Sequence, residues 1–250
     1  MRKQWPIKIS WFWIFFLPIL CFGSVQMVYF HILLMLMMHE SFHVISAIIL
    51  KEKVSEIIIY PFGMCARIQY YGWGIPWKEY IIAIMGILSH GWIAIILYGC
   101  YQMQWISNSY YLYLSSLNHG LVLFNLLPIY PLDGFRMLQA IIHTYFPYRI
   151  AYRFTYGCSF VFLCLFHPLW FSSISALMIA CGSFVSTLMH LIKCSKYDKQ
   201  FYWYRYLHPL KGRKKIHHKQ DLYRSYENYL IQDKTMLHES DWLYEKLAKW

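Results

Sequence analysis

The most specific chemistry in this sequence lies in Met38-His39-Glu40-Ser41-Phe42-His43, an H-E-x-x-H pattern. On a helix, the i, i+4 spacing puts both imidazoles on one face, one turn apart, so both can reach one Zn²⁺. The glutamate between them lies beside the ion and can take a proton from its bound water. With 12 His in 250 residues, the pattern arises by chance about 0.02 times. The bland alternative is a buried polar cluster that packs helices together, but such clusters seldom need the whole set.

A catalytic zinc takes three protein ligands and a water. Glu40 and Asp133 are the two acids inside the long stretches without Lys or Arg, and the other ten lie outside them. A carboxylate at membrane depth is costly unless paired, protonated or bound to a cation. Asp133 is therefore the candidate third ligand beside His39 and His43, for one Zn²⁺ per chain. It follows Asn125-Leu126-Leu127-Pro128-Ile129-Tyr130-Pro131-Leu132. Two prolines there break the helix and free backbone groups, which is tolerated at membrane depth where the backbone lines a wet cavity.

The elements that must position these residues follow from composition. The chain is 58% hydrophobic and 14% charged, with a net charge of +11. A soluble domain carries about 25% charged residues. Disorder, coiled coil and collagen are excluded. The positive charge raises nucleic acid as a partner, but its distribution points elsewhere. All 23 Lys and Arg residues fall within 1–8, 51–78, 136–153 and 193–249. Each gap between these clusters fits two crossings of about 20 residues. Every basic cluster then lies on one side, which the positive-inside rule makes the cytoplasm.

The expected fold is an all-α polytopic membrane protein with six transmembrane helices and both termini cytoplasmic. The spans are expected near 7–22, 27–50, 80–98, 110–127, 149–166 and 169–192. A short amphipathic piece, 135–146, sits between the fourth and fifth. The uninterrupted apolar run to Leu50 argues against a cleavable signal peptide. Two β-prone runs, 54–60 and 64–71, flank Pro61-Phe62-Gly63 and read as a small cytoplasmic β-hairpin insertion after helix 2. Residues 1–195 form the six-helix domain, and 196–250 are a basic, aromatic-rich cytosolic tail. In the tail, Phe201-Tyr202-Trp203-Tyr204 suits the membrane interface. Arg213-Lys214-Lys215 reads equally as a site for anionic lipid or as a solvated surface. The seven cysteines show no C-x-x-C pair and read as packing residues. His31, His90 and His119 read as helix-packing residues rather than ligands.

HESFH in one span with NLLPIYPLDG in a later one resembles the site-2 protease family of intramembrane zinc metalloproteases. Pro61-Phe62-Gly63 and Met85-Gly86-Ile87-Leu88-Ser89-His90 add to the likeness, which covers roughly residues 5–195. The resemblance implies zinc ligation by His39, His43 and Asp133, with Glu40 activating water. It implies that Asn125 lies near substrate and that Pro131 shapes its loop as part of the substrate-binding region. It also implies regulated intramembrane proteolysis in a bacterial cytoplasmic membrane, in a sporulation-related role. Partners would be a membrane-embedded or membrane-tethered substrate protein, the lipid bilayer and membrane-embedded regulators or inhibitors, with no nucleic acid. Two features depart from the family. Gly86 is followed by Ile87 where Pro is usual, and the tail is too short for the complete regulatory CBS domain of many relatives. The rival reading is a metal or proton transporter built on the same His/Glu/Asp cluster, which requires polar groups continuing toward the outer face.

Overall fold

The computed structural model describes residues 7–11, 23–60, 63–69, 71–166, 174–218, 221–232 and 235–248. It has two compact units, Met1–Tyr71 with Ile81–Leu127, and Gly72–Tyr80 with Pro128–Trp250. Helices occupy most of the expected span positions. They are α1 (Gly23–Ile49), α2 (Pro76–Gln102), α3 (Asn108–Asn125), α4 (Asp133–Tyr145), α5 (Tyr148–Leu165), α6 (Ile174–Ile192), α7 (Cys194–Leu207) and α8 (Glu239–Ala248). Among the described residues, two helices are long and apolar enough to cross a membrane, at Gln26–Ile49 and Pro76–Gln102.

The chain is mostly helical, as expected, but its strands exceed the single β-hairpin anticipated: two three-stranded sheets accompany the helices. The first span also differs. Ile7–Ile9 is not helical but a strand, β1, paired in parallel with β2 (Val54–Tyr60). Its alternating apolar side chains and the Lys8–Glu56 ion pair of 2.6 Å fit a ladder position better than a helix start. Residues 12–22 lie outside those described. β2 pairs antiparallel with β3 (Gly63–Ile68), as the two β-prone runs predict. Because β1 occupies one side of β2, β3 is the edge strand on the other.

In the first unit, α1 ends where Lys51 adopts a positive φ of 59°. Glu52 N–H donates to Ala47 O at 2.8 Å and Lys51 N–H to Ile48 O at 3.0 Å. This pairing satisfies the last carbonyls of the helix. The same turn closes α2, with Gln104 at φ 59° and Trp105 N–H donating to Cys100 O. α3 starts at Ser107, whose Oγ accepts from Tyr110 N–H. Val44, Ala47, Val54, Ile57 and Ile82 pack the sheet against one end of α1. Met35, Ile93 and Leu114 join α1, α2 and α3 farther along. The outward faces stay apolar, with Leu34, Ile45, Leu88, Trp92 and Ile95 all more than half exposed. Rows of this kind suit hydrocarbon rather than water.

In the second unit, the tail does not stand apart. Phe201 and Tyr202 are fully buried with Phe135, Tyr148, Leu222, Leu230 and Leu243 in one core. That overturns their expected place at a membrane interface, although Trp203 on the opposite side of α7 is exposed. The aromatic density of this segment reflects a packed core rather than an interfacial belt. β4 (Lys214–His217) pairs in parallel with β5 (Glu227–Gln232), which pairs antiparallel with β6 (Thr235–His238). Two ion pairs hold this core together. Arg205 Nε donates to Glu239 at 3.0 Å, and Arg224, fully buried, meets Glu79 and the Gly74 carbonyl. Glu239 also accepts from Asn228 Nδ2 at 2.7 Å.

Breaking a buried pair by removing one partner costs about 3–5 kcal/mol. Glu239→Leu leaves Arg205 and Asn228 without their shared acceptor. The expected outcome is early unfolding of residues 208–248, read by limited proteolysis with rising denaturant, while the exposed Tyr244→Ala changes little.

Candidate metal centre

Along α1, Met35, His39, His43 and Ala47 recur at i+4, and all four are buried. The periodicity that marks a helix thus also places the two imidazoles on its inward face. Their Nε2 atoms stand 3.0 Å apart, with the rings nearly perpendicular at 88°. The ligand atoms of His39, Glu40 and His43 all lie within 4.8 Å of one another.

The tautomer of His43 follows from its other nitrogen. Nδ1 lies 2.7 Å from the Ile82 carbonyl, which can only accept, so Nδ1 carries the proton. Nε2 is left with the lone pair that a metal requires, and the bond fixes the ring orientation. Two nitrogens bound to one zinc at about 2.0–2.1 Å stand roughly 3.3 Å apart in a tetrahedron. The observed separation, the donor types and the fixed tautomer therefore fit a zinc ion. Ser46 Oγ donates to the His43 carbonyl at 2.9 Å, and Ser41 Oγ to Met37 O at 2.7 Å, so α1 satisfies its own polar side chains here.

Asn125, the last residue of α3, is buried, and its Nδ2 donates to Leu121 O at 3.0 Å. It belongs to the first unit, with the histidines. Asp133 and Pro131 belong to the second. Asp133 is the first residue of α4 and is buried, where a carboxylate is favoured by the positive end of the helix dipole. The loop before it is held by Tyr130 N–H donating to Ser159 Oγ at 2.9 Å and Leu132 N–H to Ile129 O at 2.8 Å. The Tyr130–Pro131 peptide bond is cis.

Two residues at the metal face were not recognised from the sequence as part of it. A Cβ built on Gly86 would lie 2.2 Å from His43 Cε1, 2.3 Å from His43 Nε2 and 2.9 Å from His39 Cε1. The imidazoles occupy the space of a side chain, so α2 must carry glycine there. The signal is a glycine in mid-helix, which costs about 1 kcal/mol unless close approach requires it. His90, one turn further along, has its ring 5.2 Å from that of His39. The spacing of Ile82, Gly86 and His90 marks one face of α2, which the apolar composition around it hides.

Comparisons with known proteins bear out the family resemblance. A model of peptidase family M50 matches residues 100–167, which include Asn125, Pro131 and Asp133. Stage IV sporulation protein FB of Bacillus subtilis (strain 168) is 26% identical over 149 residues, covering 60% of this chain. The chain spans about half the length of that relative, 51%. The fold is similar to that of the site-2 protease from Methanocaldococcus jannaschii, with a TM-score of 0.55 and 23% identity. That match covers 76% of this chain and 93% of the other.

Gly86→Ala is expected to displace both imidazoles and weaken zinc binding at least about tenfold, the scale of metal-site perturbations. Gly91→Ala, where a Cβ meets nothing within 4 Å, is the control and should bind zinc as the wild type does. Chelator competition on the two purified variants measures the difference.

Proposed function

We propose that this chain is an intramembrane zinc metalloprotease that hydrolyses a peptide bond of a membrane-embedded or membrane-tethered protein. The observation that carries this reading is the convergence of two buried imidazole Nε2 atoms beside a carboxylate. They sit on a helix long and apolar enough to cross a membrane. The M50 match and the likeness to a sporulation protein support the same reading. We assign His39, His43 and Asp133 as the metal ligands, Glu40 as the acid–base residue, and Asn125 and Pro131 to the substrate-binding region. Six spans with cytoplasmic termini, in a bacterial cytoplasmic membrane, complete the proposal, with 1–195 as the protease domain and 196–250 as its tail.

A zinc ion held there would lower the pKa of a bound water and polarise the scissile carbonyl. Glu40 accepts the proton of the attacking water at its carboxylate and returns it to the departing amine. Asn125 hydrogen-bonds the substrate backbone, where its amide can steady developing charge. A substrate helix must unwind to reach the site, and the edge strand β3 suits its capture by strand addition. A sporulation-related substrate, as the name of the relative suggests, is part of the proposal.

The transporter reading finds less support. Between α1, α2 and α3, on the His31 side of the metal face, lies a cavity of about 280 Å³ lined by Leu34, Met35, Met38, Ile93, Ile96, Leu97 and Leu114. His31 is the one polar side chain in that lining. An ion path needs polar groups where this cavity offers hydrocarbon.

The test compares wild type, Glu40→Gln and Asp133→Ala in vesicles with a membrane-tethered substrate. Glu40→Gln is expected to keep zinc and lose cleavage by at least about 10³-fold, within the range of general acid–base contributions. Asp133→Ala is expected to lose zinc as well. Cleavage by Glu40→Gln at the wild-type rate contradicts the assignment, and zinc uptake into sealed vesicles favours the transporter.

A further inference from the structure

Helix α2 brings a third imidazole to the metal face. His90 is 1% exposed, and its ring centroid lies 5.2 Å from that of His39. It is held by a two-point contact with a buried residue of α3. Asn118 Nδ2 donates to the His90 backbone carbonyl at 3.0 Å, and Asn118 Oδ1 lies 2.7 Å from His90 Nδ1. The first bond settles the amide orientation, because a carbonyl can only accept. Asn118 Oδ1 must then be the acceptor in the second, and His90 Nδ1 the donor. The neutral ring is thereby fixed as the Nδ1–H tautomer, with Nε2 as its hydrogen-bond acceptor.

This arrangement repeats the logic of His43, whose Nδ1 is fixed by the Ile82 carbonyl on the same face of α2. The difference lies in range. The ligand atoms within 4.8 Å of one another come from His39, Glu40 and His43 and do not include His90. Direct coordination needs about 2 Å, whereas a group acting through a bound water stands one hydrogen bond farther out. Gly86, between Ile82 and His90, keeps the face bare of side chain where the His43 and His39 rings lie. Simple packing does not require a polar ring locked at two points in an apolar interface, where an aliphatic residue costs less.

We propose that His90 is a further catalytic residue: its Nε2, fixed as an acceptor by Asn118, hydrogen-bonds the water held at the metal centre and orients it for Glu40. Glu40 takes one hydrogen of that water and His90 holds the other, so the attacking lone pair is aimed. No atom is transferred to His90. This inference rests on the proposed metalloprotease reading and adds to it a residue outside the two metal motifs.

The experiment uses the full-length protein in detergent or nanodiscs, loaded with Co²⁺ as a spectroscopic stand-in, and with Zn²⁺ for cleavage. The variants are His90→Phe, which keeps a ring but no acceptor, His90→Gln, which restores an acceptor, and Asn118→Leu, which releases the tautomer. The visible spectrum of bound Co²⁺ is expected to change in His90→Phe and to return toward wild type in His90→Gln. With one zinc bound, kcat is expected to fall about 10–100-fold in His90→Phe, the usual cost of losing an outer partner of a metal site. KM should stay within about twofold, since the loss falls on chemistry rather than binding. Asn118→Leu should reproduce the loss in part, and the double variant should be no worse than His90→Phe. An unchanged Co²⁺ spectrum and kcat in His90→Phe overturns the proposal. So does a His90→Gln variant no better than His90→Phe. If the wild type itself cleaves nothing, the protease reading fails, while the Co²⁺ spectra still decide whether His90 reaches the bound water.

Discussion

Burial of polar groups in an apolar helix is the constraint on which the rest of this structure depends. His39 and His43 are nearly inaccessible on α1, a long and largely apolar helix. Unpaired, such groups cost several kcal/mol each. They are tolerated because each has a defined role. One nitrogen of His43 is satisfied by a backbone carbonyl, and its other nitrogen converges with His39 on a common point. A divalent cation bound there would turn this electrostatic liability into a strong local interaction.

Helix α2 supplies the complementary face. Its Ile82 carbonyl, bare Gly86 and His90 recur at helical spacing and address the two imidazoles in turn. The carbonyl orients, the glycine admits and the third ring approaches. Ser89 Oγ, fully buried, donates to Gly86 O at 2.6 Å and so returns its hydroxyl to the helix. Asn118 ties α3 to this face through the same residue that approaches His39. Three helices therefore contribute contacts around the two imidazoles, as a site with sub-ångström demands requires.

Much of this was legible in the residues themselves. H-E-x-x-H carries its geometry in its spacing, and the observed α1, α2, α3, α4 and α5 begin and end within a few residues of the apolar runs that forecast them. The misses have physical reasons. Lys51 and Gln104 close helices in a conformation usually given to glycine, so no glycine marks those ends. β1 is three residues long and takes its identity from β2, whose paired residues lie fifty positions further along the chain. Such pairing is a tertiary effect that local propensity cannot supply. Phe201 and Tyr202 look interfacial in a basic tail, yet a core shared with Phe135 and Tyr148 buries them. Gly86 and His90 were visible as letters. Their meaning depends on which face of α2 meets α1, and an apolar helix carries little amphipathic pattern to reveal that.

In the proposed metal centre, His39, His43 and Asp133 would hold one zinc. X-ray absorption at the zinc edge on the purified full-length protein tests it most directly. The expected spectrum shows two imidazole nitrogens at about 2.0–2.1 Å with carboxylate and water oxygens at about 2.0–2.2 Å in a four-coordinate shell. Asp133→Ala should lose an oxygen scatterer or the metal itself. A shell with sulfur ligands, with six oxygens, or with no imidazole pair would contradict the metal centre assigned to His39, His43 and Asp133.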